Sequence, residues 1–213
     1  MGTMVYKCVQ QLQTLLFPSA CRLCGGASGR VPGLCMPCLA NAPWITTACP
    51  CCSRALPVGH DTQFCGRCQR HPPSFEATTA LFHYRPPIDY LVKRMKFAGE
   101  LTLVPVLASL LAARLRTRAA ALPGLLIPVP LHRTRLRERG FNQATELARR
   151  LGRELNIKTG LHCCQRPRNT QPQSLLSPTA RRLNLRNAFS LHHTPPSRHV
   201  AIVDDVMTTG HTC

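Results

Sequence analysis

Apolar residues recur along this 213-residue chain with the two periods of an α/β protein, but only after about residue 75. Residues 78–84 read as a strand, ended by Arg85-Pro86-Pro87. Ile88, Leu91, Val92 and Met95 then recur at helical spacing, with Lys93, Arg94 and Lys96 on the opposite face, up to a stop at Phe97-Ala98-Gly99. A second helix is expected over about residues 105–121, with Pro105 near its start, where proline is tolerated, and Leu122-Pro123-Gly124 as its stop. Residues 125–130 form an unbroken apolar run of the buried-strand kind, and Val200-Ala201-Ile202-Val203 forms another. Between them Ala144, Leu147, Ala148, Leu151 and Leu155 mark an amphipathic helix with Asn142 as N-cap. Strand-loop-helix units of this kind predict a parallel sheet covered by helices.

The first third follows a different rule. Ten of the 13 cysteines precede residue 70, and eight form Cys-x-x-Cys pairs: Cys21/Cys24, Cys35/Cys38, Cys49/Cys52 and Cys65/Cys68. One such turn aims two thiolates at a metal, and two turns complete a tetrahedral four-cysteine zinc site. Sequential pairing gives two ribbons and two zinc ions. Crossed pairing, or one occupied site with four free thiols, stays open, and Cys51 competes with its neighbours as a ligand. Disulfides are the rival reading, disfavoured in a reducing compartment. So short a region has little apolar core, so metal binding supplies its folding free energy. His71-Pro72-Pro73-Ser74-Phe75 is a stiff linker, dividing the chain into a zinc module, residues 1–72, and an α/β domain, residues 73–213.

Charge sharpens the picture. The chain has 27 basic and 9 acidic residues, a net charge of +18, and 23 of the basic residues are arginine. Residues 1–80 carry +4 and residues 81–213 carry +14. Guanidinium forks suit phosphate oxygens, so a phosphate ligand or a polyanion such as single-stranded nucleic acid fits the second half. An arginine-rich solvated surface would give the same count. Aromatic residues are 5% of the chain, a thin supply of base-stacking platforms. The most apolar stretch, residues 101–113, is too short for a membrane span, and the N-terminal segment makes a poor signal peptide, so the expected location is cytoplasmic.

The densest chemistry lies at the end of the chain. The strand at residues 200–203 leads into Asp204, Asp205, Val206 and Met207, then Thr208, Thr209, Gly210, His211 and Thr212. Backbone N–H groups of such a loop, with its hydroxyls, hold a phosphate, and the two carboxylates lie one ribose away. A Walker-B strand would share the Asp-Asp end, but no Gly-Lys pair exists to supply its phosphate loop. The strand at 125–130 likewise ends in a loop rich in cations, with His132 and arginines at 133, 135, 137 and 139. It reads as a pyrophosphate site, or as a solvated basic loop. Residues 162–199, with five prolines, read as a lid carrying Arg166 and Arg181, or as a disordered insertion.

The run from Asp204 to Thr212 resembles the phosphoribosyl-pyrophosphate (PRPP) signature of type I phosphoribosyltransferases. Together with the cysteine pairs, Lys96-Phe97-Ala98-Gly99, Pro128-Val129-Pro130-Leu131-His132, Arg139-Gly140-Phe141-Asn142-Gln143 and Thr170, Gln173, Arg181, Asn184, Ala188 and Phe189, it makes nearly the whole chain resemble the ComF/GntX family of competence- and DNA-utilization-associated phosphoribosyltransferase-like proteins. The resemblance implies a type I phosphoribosyltransferase fold behind a double zinc ribbon. Similar proteins continue past this loop through another helix and strand, so the sheet is expected to be C-terminally truncated. It also implies PRPP bound with magnesium, Asp204, Asp205 and Arg139 as catalytic residues, and residues 206–212 with His132, Arg166 and Arg181 as PRPP contacts. Phosphoribosyl transfer with loss of pyrophosphate would be the reaction. The rival function is a zinc-ribbon adaptor that holds single-stranded DNA for a translocation helicase at the inner face of the membrane, without transfer.

Overall fold

The computed structural model describes residues 20–28, 33–60, 63–118, 121–169 and 187–207. Strands β1 (Leu125–Pro128), β2 (Lys158–Thr159) and β5 (Val200–Val203) form a parallel sheet in the order β2-β1-β5. Leu125 pairs with Val200 and Pro128 with Val203, so the adjacent strands β1 and β5 end side by side. Every β1 residue is buried, as a central parallel strand requires. One face packs on α4 (Val104–Arg116) and α6 (Gln143–Leu155) through Leu126, Val203, Leu147 and Leu151. Ala108, Ala112 and Ala148 are fully buried there, and their small side chains let the two helices approach closely. Ser109 Oγ donates to Glu154 Oε1 at 2.7 Å across the same seam. On the opposite face Leu125 and Ile127 meet Cys163, beside the antiparallel pair β3 (Cys164–Gln165) and β4 (Ser190–Leu191). This is the α/β fold with a parallel sheet that the hydrophobic pattern predicts, behind a Cys-rich module.

Both halves of that module are built alike. After each first Cys-x-x-Cys turn the chain reverses through a left-handed residue, Gly25 (φ 75°) in one half and Ser53 (φ 53°) in the other. The second pair of each half opens a short helix, α1 (Met36–Ala40) after Cys35 and α2 (Gly66–Arg70) after Cys65. The halves differ in what they pack against. Cys21, Leu34, Cys35, Leu39 and Ala42 share one cluster with Ile88, Leu91 and Val92 of α3 (Ile88–Phe97), and with Leu103 and Val106. The second half makes its own small cluster of Cys49, Cys51, Cys65 and Cys68, covered by Leu56 and Phe75. Contacts therefore cross the expected boundary at residues 72–73: Trp44 packs against Phe82 with ring centroids 4.4 Å apart and planes tilted by 50°.

Three elements differ from the sequence expectation. Residues 78–84 form no full strand. Pairing is confined to Trp44 with Phe82, flanked by Ile45 N to Leu81 O and His83 N to Pro43 O, because Pro43 has no N–H with which to extend the ladder. Helix α4 stops at Arg116, where the Thr117 hydroxyl donates to the Arg114 carbonyl. The basic segment expected as a loop is helix α5 (Arg133–Arg139), started by His132 as N-cap and ended by Gly140 at φ 80°. Arg, Leu and Glu are good helix formers, which the alternating charges conceal. No described helix is long and apolar enough to cross a membrane.

At Gly152 of α6, an added Cβ would lie 2.7 Å from the Ile157 carbonyl oxygen and 2.8 Å from Thr159 Cγ2. Gly152→Ala should therefore destabilise by roughly 1–3 kcal/mol through overpacking, despite alanine's higher helix propensity. Urea unfolding measures this, and an unchanged or raised midpoint contradicts it.

Candidate functional site

The thiols settle into two sets, Cys21/Cys24/Cys35/Cys38 and Cys49/Cys52/Cys65/Cys68, with all sulfurs of a set within 4.8 Å of one another. Pairing is sequential. Cys24 Sγ lies 3.6 Å from Cys35 Sγ, and Cys52 Sγ lies 3.6 Å from Cys65 Sγ. Cys51 turns away and donates to the Phe75 carbonyl, so it does not compete as a ligand. Burial opposes ionisation of Cys21, but N–H groups of Cys35, Cys24 and Leu23 outweigh it and bring the thiol down to about 6. Its set-mate Cys38 is pushed up to about 12 by hydrogen bonding to the sulfurs of Cys35 and Cys24. In the second set burial again opposes ionisation of Cys49, and N–H groups of Cys52, Cys65 and Cys51 bring it to about 6. Burial and the neighbouring sulfurs push Cys68 up. Four clustered thiols cannot all ionise unaided, whereas a divalent cation stabilises all four as thiolates. All-sulfur sets of this kind suit structural zinc and leave no open position for catalysis.

The second constellation gathers at the carboxyl ends of β1 and β5, where parallel sheets present ligand sites. Val129 N donates to Val203 O at 2.9 Å, carrying the pairing one residue past β1. Asp204 and Asp205 follow directly. Asp204 Oδ1 accepts from the Asp205 N–H at 2.8 Å. Asp205 Oδ2 lies 2.7 Å from Lys96 Nζ, at ion-pair distance but without the alignment of a hydrogen bond, so this buried oxygen keeps a vacant acceptor position. Burial first, then repulsion from Asp205, raises Asp204 to about 7. Arg139 and Arg166 lie in the field of these carboxylates. Burial lowers both arginines, Asp205 opposes the shift at Arg139 and Asp204 opposes it at Arg166, and Arg135 repels each of them. Arg166 also sits over the Phe189 ring, 5.3 Å from its centroid.

Each position of the segment Arg139-Gly140-Phe141-Asn142-Gln143 has a physical role. Gly140 takes the left-handed turn that ends α5. Asn142 caps α6 by accepting from Ala144 N at 3.0 Å, and its amide donates to Val129 O at 2.9 Å, tying the helix to the end of β1. Arg139 Nη1 donates to Gln143 Oε1 at 2.7 Å. Phe141 lies against Gly99, where an added Cβ would be 3.8 Å from its ring. His132 spends Nδ1 on capping α5, accepting from Thr134 N at 3.3 Å. Val206 packs on the cluster shared with the first zinc ribbon, and Met207 is half-buried. Thr208, Thr209, Gly210, His211, Thr212 and Arg181 lie outside the described residues. Sequence reasoning missed Lys96 as a member of this site, although it read the arginines at 133, 135, 137 and 139 together as an anion site. Lys96 stands in a motif the sequence singles out, but its partner is distant in the chain.

Residues 12–69 match the family model of the double zinc ribbon domain. Over 208 residues the chain is 36% identical to DNA utilization protein YhgH of Escherichia coli O157:H7, covering 93% of this chain and 88% of that protein. The YhgH protein of Salmonella typhi is 35% identical over the same shares. Competence protein F of Haemophilus influenzae is 40% identical over 157 residues, covering 70% of this chain and 69% of its own length. No solved structure matches the chain.

Asp204 gives a signed pH dependence. Between its ordinary value of 3.8 and about 7 the folded state holds a proton that the unfolded state releases, so its contribution to stability falls as pH rises through this window. Asp204→Asn should raise the thermal midpoint at pH 8 and leave it nearly unchanged at pH 4. A shift of equal size at both pH values contradicts the assignment.

Proposed function

The chain belongs to the family of DNA utilization protein YhgH and competence protein F, and from that premise we propose that it binds PRPP at Asp204 and Asp205 as a phosphoribosyltransferase-like protein of DNA uptake or utilization. The observation that carries the reading is the crowded carboxylate pair at the end of a parallel strand, faced by Lys96 and within the field of Arg139 and Arg166. Adjacent carboxylates are costly to bury without a partner. Vicinal ribose hydroxyls are suitable donors for them, and the vacant acceptor position on Asp205 Oδ2 fits a hydroxyl. In this reading residues 207–212 hold the 5′-phosphate, and Arg139 with His132 takes the pyrophosphate, with Arg166 or Arg181 closing over it. Magnesium, when bound with PRPP, supplies charge neutralisation for the pyrophosphate. Transfer breaks the bond from C1′ to the pyrophosphate oxygen, which leaves with the electron pair. The acceptor's lone pair forms the new bond to C1′, and the acceptor gives up a proton. The protein's part is positioning and electrostatic stabilisation of the cationic ribosyl group.

A second reading, a zinc-ribbon adaptor that binds single-stranded DNA without transfer, draws on the net charge of +14 in residues 81–213. Phosphate contacts of that kind weaken steeply with salt.

Calorimetric titration of zinc-loaded protein with PRPP and magnesium separates the readings. Saturable binding, reduced at least about tenfold in Asp204→Ala/Asp205→Ala (about 1.4 kcal/mol), is the expected result. No binding by the folded wild-type protein would overturn the PRPP reading and leave the adaptor.

A further inference from the structure

Helix α3 has two unlike faces. Ile88, Leu91, Val92 and Met95 are buried against the core. The outer face carries Asp89, Tyr90, Lys93, Arg94, Lys96 and Phe97, with no aliphatic side chain among them. Tyr90 is 47% exposed and Phe97 is 77% exposed. An isolated exposed aromatic is ordinary, but here each ring has an arginine over it. Arg94 lies 5.5 Å from the Tyr90 centroid, and Arg139, which comes from α5, lies 5.5 Å from the Phe97 centroid. Seven residues apart, the rings lie on one side of the helix about two turns, or roughly 10 Å, from each other. The row ends at the candidate site: Lys96, next to Phe97, reaches Asp205, and Arg139 feels the same carboxylate.

We propose that this face of α3 is a single-stranded DNA track, on which one base stacks on Phe97 beside the Asp204–Asp205 site and another stacks on Tyr90. The inference rests on the proposed function for the kind of partner and extends it to a place. Each guanidinium takes one side of its ring, and a base would stack on the exposed remainder; strands without sequence preference are held by such stacking with cation–π support from arginine. Asp89 and Glu100 answer the charges of Lys93 and Arg94 on α3 itself. Attraction for the phosphate backbone therefore falls to the neighbouring α5, which carries arginines at 133, 135, 137 and 139.

The test compares a short oligothymidylate with an abasic strand of the same length, measured by fluorescence anisotropy on zinc-loaded protein. The two carry the same backbone charge and differ only in what stacks. Wild type should bind oligothymidylate about tenfold more tightly, the order expected of base stacking on an aromatic ring. Phe97→Ala should lose most of that preference while its affinity for the abasic strand is kept, and Phe97→Trp should retain the preference. Tyr90→Ala should give a partial loss, and it carries the test should Phe97→Ala fail to fold. Equal binding of the two strands by wild type, or an unchanged preference in both alanine variants, overturns the proposal. PRPP binding without a base preference removes this inference alone, and a base preference without PRPP binding removes only the PRPP reading.

Discussion

The rest of the structure depends on one shared apolar cluster, in which the first zinc ribbon and helix α3 bury their side chains together. Cys21, Leu34, Cys35, Leu39 and Ala42 come from the ribbon, and Ile88, Leu91, Val92, Leu103 and Val106 from the helical region. Neither side has enough apolar surface to stand alone: a ribbon of this size lacks a core, and α3 is amphipathic with one half-apolar face. Metal binding is folding free energy for such a module. Because the ribbon's core is also α3's core, that free energy fixes where α3 sits. The position of α3 sets Lys96 against Asp205, and Val206, the residue after the carboxylates, packs on the same cluster.

The two ribbons are alike in construction and unlike in consequence. The second closes around its own cysteines with Leu56 and Phe75, and touches the body through polar ties such as the Ser53 hydroxyl donating to the Thr78 carbonyl at 2.7 Å. Arg118 reaches the same Thr78 carbonyl from the end of α4. Loss of the second metal should therefore be felt locally. At the carboxylates the governing terms are electrostatic. Two acids held side by side repel each other, and Lys96, Arg139 and Arg166 lower that cost without removing it, as the raised Asp204 shows. A site left in that condition favours a ligand that supplies both hydroxyl donors and anionic oxygens.

Where local pattern decides structure, the chain is legible. The apolar spacing from Ala144 to Leu155 and the Asn142 cap place α6 within a residue of where it lies, since amphipathicity and capping are local properties. β1 and β5 are legible as unbroken apolar runs, and the Cys-x-x-Cys spacing yields two four-thiol sites once sequential pairing is settled. Residues 131–140 read as a basic loop because their arginines alternate, whereas the His132 and Gly140 caps make a helix of them. The Lys96–Asp205 pair and the shared core of the first ribbon are not legible, because both depend on how distant segments meet. Residues 78–84 have the composition of a strand, but their partner segment contains a proline.

The central claim is that the first four-cysteine set, and not the second, holds the carboxylate site in place. Amide hydrogen exchange of zinc-loaded wild type, Cys35→Ser and Cys65→Ser tests it directly. The account predicts faster exchange in residues 88–97 and 200–207 for Cys35→Ser, with Cys65→Ser speeding exchange around residues 49–75 and leaving 200–207 as in wild type. Equal protection of residues 200–207 in the two variants would contradict it.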